Sequence, residues 1–95
     1  MKPVKTTVWD SAEYLQSDED ITIYLNDIFS TNDTKLIIAA IGDVTRARGM
    51  SKVAEDIGCG RESLYKSLSQ NGNPSFDTII KVMSALGYRL IPSHV

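Results

Sequence analysis

Hydrophobic residues recur along this chain mostly at helical spacing. From Ser17 onward, Ile21, Tyr24, Leu25, Ile28 and Phe29 fall at i, i+3, i+4, i+7 and i+8, the stripe of an amphipathic helix. Ser17 or Asp18 starts it, and Asp18, Glu19 and Asp20 complement the helix dipole in its first turn. Upstream, residues 1–8 read as extended. A short helix is expected from Asp10 to about Gln16, because Asp10 can cap it, Glu13 stands three residues on, and Trp9 and Tyr14 sit where a hydrophobic staple forms. Ser30 to Asp33 is a polar break. Beyond it Leu36, Ile37, Ala40, Ile41, Val44 and Ala47 make a wide apolar face, which predicts a central core helix from about Asp33 to Arg48, stopped by Gly49.

The stretch from Met50 to Leu68 then reads as two short helices with glycines between them. Met50, Val53, Ala54 and Ile57 repeat the i, i+3, i+4, i+7 set, and Gly58-Cys59-Gly60 breaks it. The next helix has only Leu64 and Leu68 as large apolar residues; Arg61, Glu62, Ser63, Tyr65, Lys66 and Ser67 make up the rest. A helix that buries one thin edge and presents side chains able to pair with base edges suits the second helix of a helix-turn-helix. Ser69 to Pro74 is turn-rich. Ser75 caps a last helix with Phe76, Ile79, Ile80, Met83 and Leu86 assigned to one face, and Gly87 is its stop. Tyr88 to Pro92 is short and alternates, which leaves two readings, an edge strand that pairs across a dimer or a tail packed on its own domain.

The expected fold is therefore all-α, a five-helix core with a short N-terminal helical arm and a possible C-terminal strand. The expected division is an acidic arm over residues 1–32 and a DNA-binding domain over residues 33–95. With 95 residues, 42% hydrophobic and 23% charged, the chain is ordinary globular material that needs no metal or disulfide to fold. One cysteine makes no internal disulfide, so a reducing cytoplasm is the expected location. The longest apolar run, Leu36 to Ile41, is too short to span a membrane, and the first residues lack a signal peptide's apolar segment.

Net charge changes the picture through its distribution. The whole chain is −2, which by itself argues against nucleic acid. Residues 1–33 hold seven acids against two lysines, net −5, whereas residues 34–95 hold eight basic residues against five acids, net +3. A basic body behind an acidic arm fits two surfaces with opposite partners.

Several segments together resemble one known family. Asp10-Ser-Ala-Glu-Tyr-Leu15, Tyr24-Leu25, Arg46-Ala-Arg-Gly-Met50, Arg61-Glu-Ser-Leu-Tyr-Lys66, Gly72-Asn-Pro74, Phe76-Asp-Thr78 and Ala85-Leu-Gly87 resemble the probable addiction-module antidote proteins, a HigA-like branch of the Cro/C1-type (lambda-repressor-like) helix-turn-helix repressors. The likeness runs from Trp9 to Ile91. It implies a bacterial antitoxin that represses its own operon as a homodimer and binds a RelE/ParE-like toxin. Two residues depart from the family pattern: Lys52 stands where a polar, often amide, side chain is common, and Cys59 where a branched apolar residue is usual.

In a major groove, Arg61 matches guanine's two acceptors with its planar fork, and Glu62 accepts from cytosine's amino group. Ser63 tolerates many bases, while Tyr65 and Lys66 lie one turn on, at the groove edge or over a phosphate. Lys52, Ser69, Gln70, Asn71 and Asn73 are candidate backbone contacts, and the amides at Gly60 and Arg61 open a helix. The bland reading of Glu62 and Lys66 is an i, i+4 surface pair. For the toxin, the candidate anchors are Trp9, Glu13, Tyr14, Tyr24 and Phe29, with acidic charge steering a basic partner; the same aromatics also suit a core. Cys59 either fills a turn or, at a helix start, acts as a redox-sensitive thiol. No zinc cluster, Ser-His-Asp arrangement or phosphate loop can be placed, so neither an enzyme nor a cofactor is expected. The competing readings are a phage-type regulator without a toxin and a protein-interaction adaptor that has lost DNA binding.

Overall fold

The computed structural model describes residues 17–95, so the expected helix from Asp10 lies outside them. Five helices follow: α1 Asp18–Phe29, α2 Thr34–Arg48, α3 Met50–Ile57, α4 Arg61–Ser67 and α5 Phe76–Ala85. Each break is set by local chemistry. The Ser17 side chain accepts from the Asp20 amide, Asp33 from the amides of Lys35 and Leu36, and Ser75 from that of Thr78, so three helices begin on the side-chain caps the sequence offers.

Ile21 and Leu25 of α1 join Ala40, Ile41 and Val44 of α2, Met50, Val53 and Ala54 of α3, and Leu64 and Leu68 at α4 in one buried cluster. Val82, Met83 and Leu86 complete it. The helix that ends the acidic segment thus shares its core with the basic body. Helix α2 crosses close to the end of α4: a side-chain carbon at Gly42 would stand 2.6 Å from the Leu68 carbonyl oxygen. Only glycine allows that approach, and it fixes where α4 ends relative to the central helix.

Two expectations change, and a third settles between its alternatives. Phe76 and Ile80 were assigned to the buried face of α5, yet Phe76 is 72% exposed and Ile80 is also exposed. The helix is rotated so that Ile79, Val82, Met83 and Leu86 face inward, an equally regular i, i+3, i+4, i+7 set. Leu36 and Ala47 likewise sit at the exposed margins of α2. No strand forms among the described residues. Tyr88 to Pro92 pairs with no strand and packs as a tail: the Tyr88 amide donates to the Met83 carbonyl at 2.8 Å, Tyr88 and Leu90 lie against the core, and the Tyr88 hydroxyl is 2.7 Å from Thr22 Oγ1 and donates to the Asp18 carbonyl at 3.4 Å.

The core also holds a charge. Asp43 is buried on α2, where it accepts from the Tyr24 hydroxyl at 2.8 Å and from the Arg46 guanidinium. Burial pushes its carboxyl above the ordinary 3.8, outweighing the lowering by Tyr24 and Arg46. Between 3.8 and the raised value the folded chain holds a proton that the unfolded chain releases. The stabilisation from that proton is full below 3.8 and is lost as pH rises through the raised value. Urea unfolding of wild type and Asp43→Asn across acid to neutral pH should show it. Relative to Asp43→Asn, wild type should be most stable in acid, lose ground above pH 3.8, and then level off. A constant difference would mean that Asp43 titrates alike folded and unfolded.

Candidate nucleic-acid interface

The α3–α4 unit is built around its turn. Gly58 takes the left-handed conformation, φ 76° and ψ 36°, which glycine enters without steric cost. Its amide and that of Cys59 return to the last carbonyls of α3, Gly58 to Glu55 at 3.2 Å and Cys59 to Ala54 at 2.9 Å, closing the helix in the manner of a Schellman motif. Gly60 then turns extended and starts α4 with no side-chain cap.

From α4 only Leu64 and Leu68 go into the core, with Ser67 half-buried beside them. Arg61, Glu62, Ser63, Tyr65 and Lys66 are all exposed. At 100° per residue, Glu62 and Lys66 lie opposite the leucines, flanked by Arg61 and Tyr65 on one side and Ser63 on the other. The ion pairs among the described residues are Arg46–Asp43, Arg48–Asp18, Lys52–Asp56 and Lys81–Asp77. None takes up Arg61, Glu62 or Lys66, so the i, i+4 pair that would explain Glu62 and Lys66 as surface decoration is not made.

The structure brings the DNA candidates together unevenly. Gly60 to Lys66 share one short helix and its start. Lys52 projects from α3 with its amine 3.8 Å from Asp56. Gln70, Asn71 and Asn73 are exposed in the loop after α4, whereas the Ser69 hydroxyl turns back along the chain to donate to the Lys66 carbonyl at 2.7 Å. Cys59 is exposed at the turn.

The toxin candidates are more scattered. Trp9, Glu13 and Tyr14 lie outside the described residues. Tyr24 is half-buried, with its hydroxyl directed to Asp43. Phe29 is half-buried on the other flank of α1, lining a groove of about 610 Å³ between that helix and the C-terminal tail.

Two features were missed from the sequence. Asp43 interrupts an apolar face three residues after Ala40 and three before Arg46, and that position is the signal of a buried, paired acid. The second is Arg48, the last residue of α2, which is held by Asp18 of α1. Nothing in the local pattern announces that pair, since its members are 30 residues apart. It ties the acidic segment to the basic body beside the start of α3.

These elements define a small helical protein whose α3–α4 unit presents a polar, partly basic helix face. A family model described as probable addiction module antidote protein matches residues 5–93, and the chain belongs to that family. It is also similar to an uncharacterized protein of Haemophilus influenzae, 53% identical over 78 residues, which covers 82% of this chain and 80% of the relative. No solved structure matches. The family is one of antidotes, so a toxin partner in general follows from membership. Among the described residues no helix is long and apolar enough to cross a membrane.

Proposed function

We propose that this chain is the antitoxin of a type II toxin–antitoxin module, a cytoplasmic, non-enzymatic Cro/C1-type repressor of its own operon. In this reading α3 and α4 are the helix-turn-helix, and α4 enters the major groove of operator DNA. The observation that carries it is the outer face of α4. Arg61, Glu62, Ser63, Tyr65 and Lys66 are exposed there and outside every ion pair of the described residues, while two leucines hold the helix from behind. Arg61 reads guanine, Glu62 and Ser63 bear on neighbouring bases, and Tyr65 and Lys66 reach the groove edge or a phosphate. Lys52, Gln70, Asn71 and Asn73 supply backbone contacts that fix register. Ser69 is a weaker candidate beside them, because its hydroxyl is already engaged by the Lys66 carbonyl.

One such unit binds weakly, so a homodimer on paired half-sites is part of the reading. Membership of an antidote family supports the protein partner, taken as a RelE/ParE-like toxin. The acidic first turn of α1 supports docking of a basic surface, with Trp9, Glu13, Tyr14, Tyr24 and Phe29 as candidate anchors.

Co-expression with the adjacent reading frame tests both halves. The expected result is a copurifying basic protein and a footprint of the complex or the free chain over the shared promoter. A stable protein complex with no DNA binding at low salt would instead identify a protein-interaction adaptor. A footprint without any protein partner would identify a plain regulator.

A further inference from the structure

Helix α5 carries its largest apolar side chain on the outside. Phe76 is 72% exposed and Ile80, one turn on, is 38% exposed, while Val82 and Met83 beside them are buried. Helical spacing puts Phe76, Ile80 and Ser84 in one row and Asp77 and Lys81 in the next. Asp77 and Lys81 pair within the helix at 3.0 Å, both well exposed, so the pair can exchange partners at little cost.

An apolar row beside a row of one acid and one base is self-complementary in the antiparallel sense. When two such faces meet about a two-fold axis near Ile79, Asp77 of one copy lies opposite Lys81 of the other, and the reverse. Ile80 then lies next to its own counterpart, with Phe76 on its flank. Parallel pairing would set acid against acid and base against base, which is unfavourable. We propose that the α5 face made by Phe76, Asp77, Ile80 and Lys81 is the self-association surface of this protein, and that its occupant is the same face of a second copy, antiparallel.

The purpose of this dimer rests on the proposed function, because two copies are what carries two α4 helices to two half-sites. The association itself needs no DNA. One short helix face buries less than the roughly 1,200–2,000 Å² of a stable interface, so the dimer is weak and concentration-dependent.

Sedimentation equilibrium without DNA tests it. Wild type at about 100 μM chain should show dimer. Phe76→Glu should be monomeric, with a melting curve close to wild type because the replaced ring is largely in solvent. Asp77→Lys alone and Lys81→Asp alone should each weaken self-association about tenfold or more. Mixing those two variants should restore it, because an all-basic row then meets an all-acidic one. Three results would each overturn the proposal: a wild-type monomer at that concentration, a Phe76→Glu dimer as strong as wild type, or a mixture no stronger than its components. The measurement contains no nucleic acid. Its failure leaves operator binding standing, and failure of operator binding leaves this dimer standing.

Discussion

Arg61→Ala should weaken binding to the operator by about 1–3 kcal/mol, roughly five- to over a hundredfold, and relax sequence preference at a single base pair. The size follows from geometry. A guanidinium makes two parallel hydrogen bonds to guanine, and alanine leaves both acceptors without a partner in a desolvated groove. Lys66→Ala should behave differently. As a phosphate contact it weakens all sequences alike and lowers the slope of log affinity against log salt by about one. Both side chains are exposed and outside the ion pairs of the described residues. Neither change should move the melting temperature by more than the small effect of a surface substitution. A gel-shift titration at several salt concentrations, run beside thermal melts, separates the two roles. Unchanged binding in both variants removes α4 as the recognition element.

The elements that govern this expectation were legible because their signals are local. Caps at Ser17, Asp33 and Ser75, the glycine break at Gly58 to Gly60, and the period of Met50, Val53, Ala54 and Ile57 each act within a turn or two. The structure places helix ends where those residues predict. What stayed hidden depends on distant partners. In α5, Phe76 and Ile80 are as apolar as Val82, so periodicity fits two faces about equally, and only the neighbouring helices choose between them. The alternation of Tyr88 to Ile91 is real, but a strand needs a second strand, and the chain supplies instead the flank of α1 for Tyr88. Asp43 was readable as an oddity on an apolar face. Its partner Tyr24, 19 residues earlier, was not.

The candidate site divides along the same line. The exposure of Arg61, Glu62, Ser63, Tyr65 and Lys66 follows from a helix with two apolar residues on one edge, so the sequence sufficed. Toxin anchors were harder to name, because an aromatic residue on an amphipathic helix serves a core as readily as an interface. Tyr24 shows both sides of the ambiguity: it is half-buried, and its hydroxyl donates to Asp43. The Arg48–Asp18 pair makes the two charge domains of the sequence contiguous in space. An exposed pair of this kind contributes little stability, so its weight lies in where it places α1, beside the start of α3.

Leu64→Ala should cost about 2–5 kcal/mol of folding stability, a large part of the roughly 5–15 kcal/mol available to a small domain. Helix α4 has seven residues, far below the length at which an isolated helix persists in water. It has no side-chain cap at its start, and no charge pair among the described residues steadies its outer face. Its order therefore comes from Leu64 and Leu68, 1% and 2% exposed, packed on a cluster that includes Val53 and Val82. Truncating Leu64 opens a cavity under the helix, whereas Leu64→Met keeps the volume and should cost under about 1.5 kcal/mol. Operator binding then sorts the variants. Arg61→Ala loses affinity with a normal melt. Leu64→Ala loses both, because affinity falls with the fraction of molecules whose α4 is formed, and Leu64→Met keeps both. Urea unfolding read against gel-shift affinity checks the set. A Leu64→Ala chain with wild-type stability would mean that α4 is held by something other than its leucines, and the anchoring that presents Arg61 would need another source.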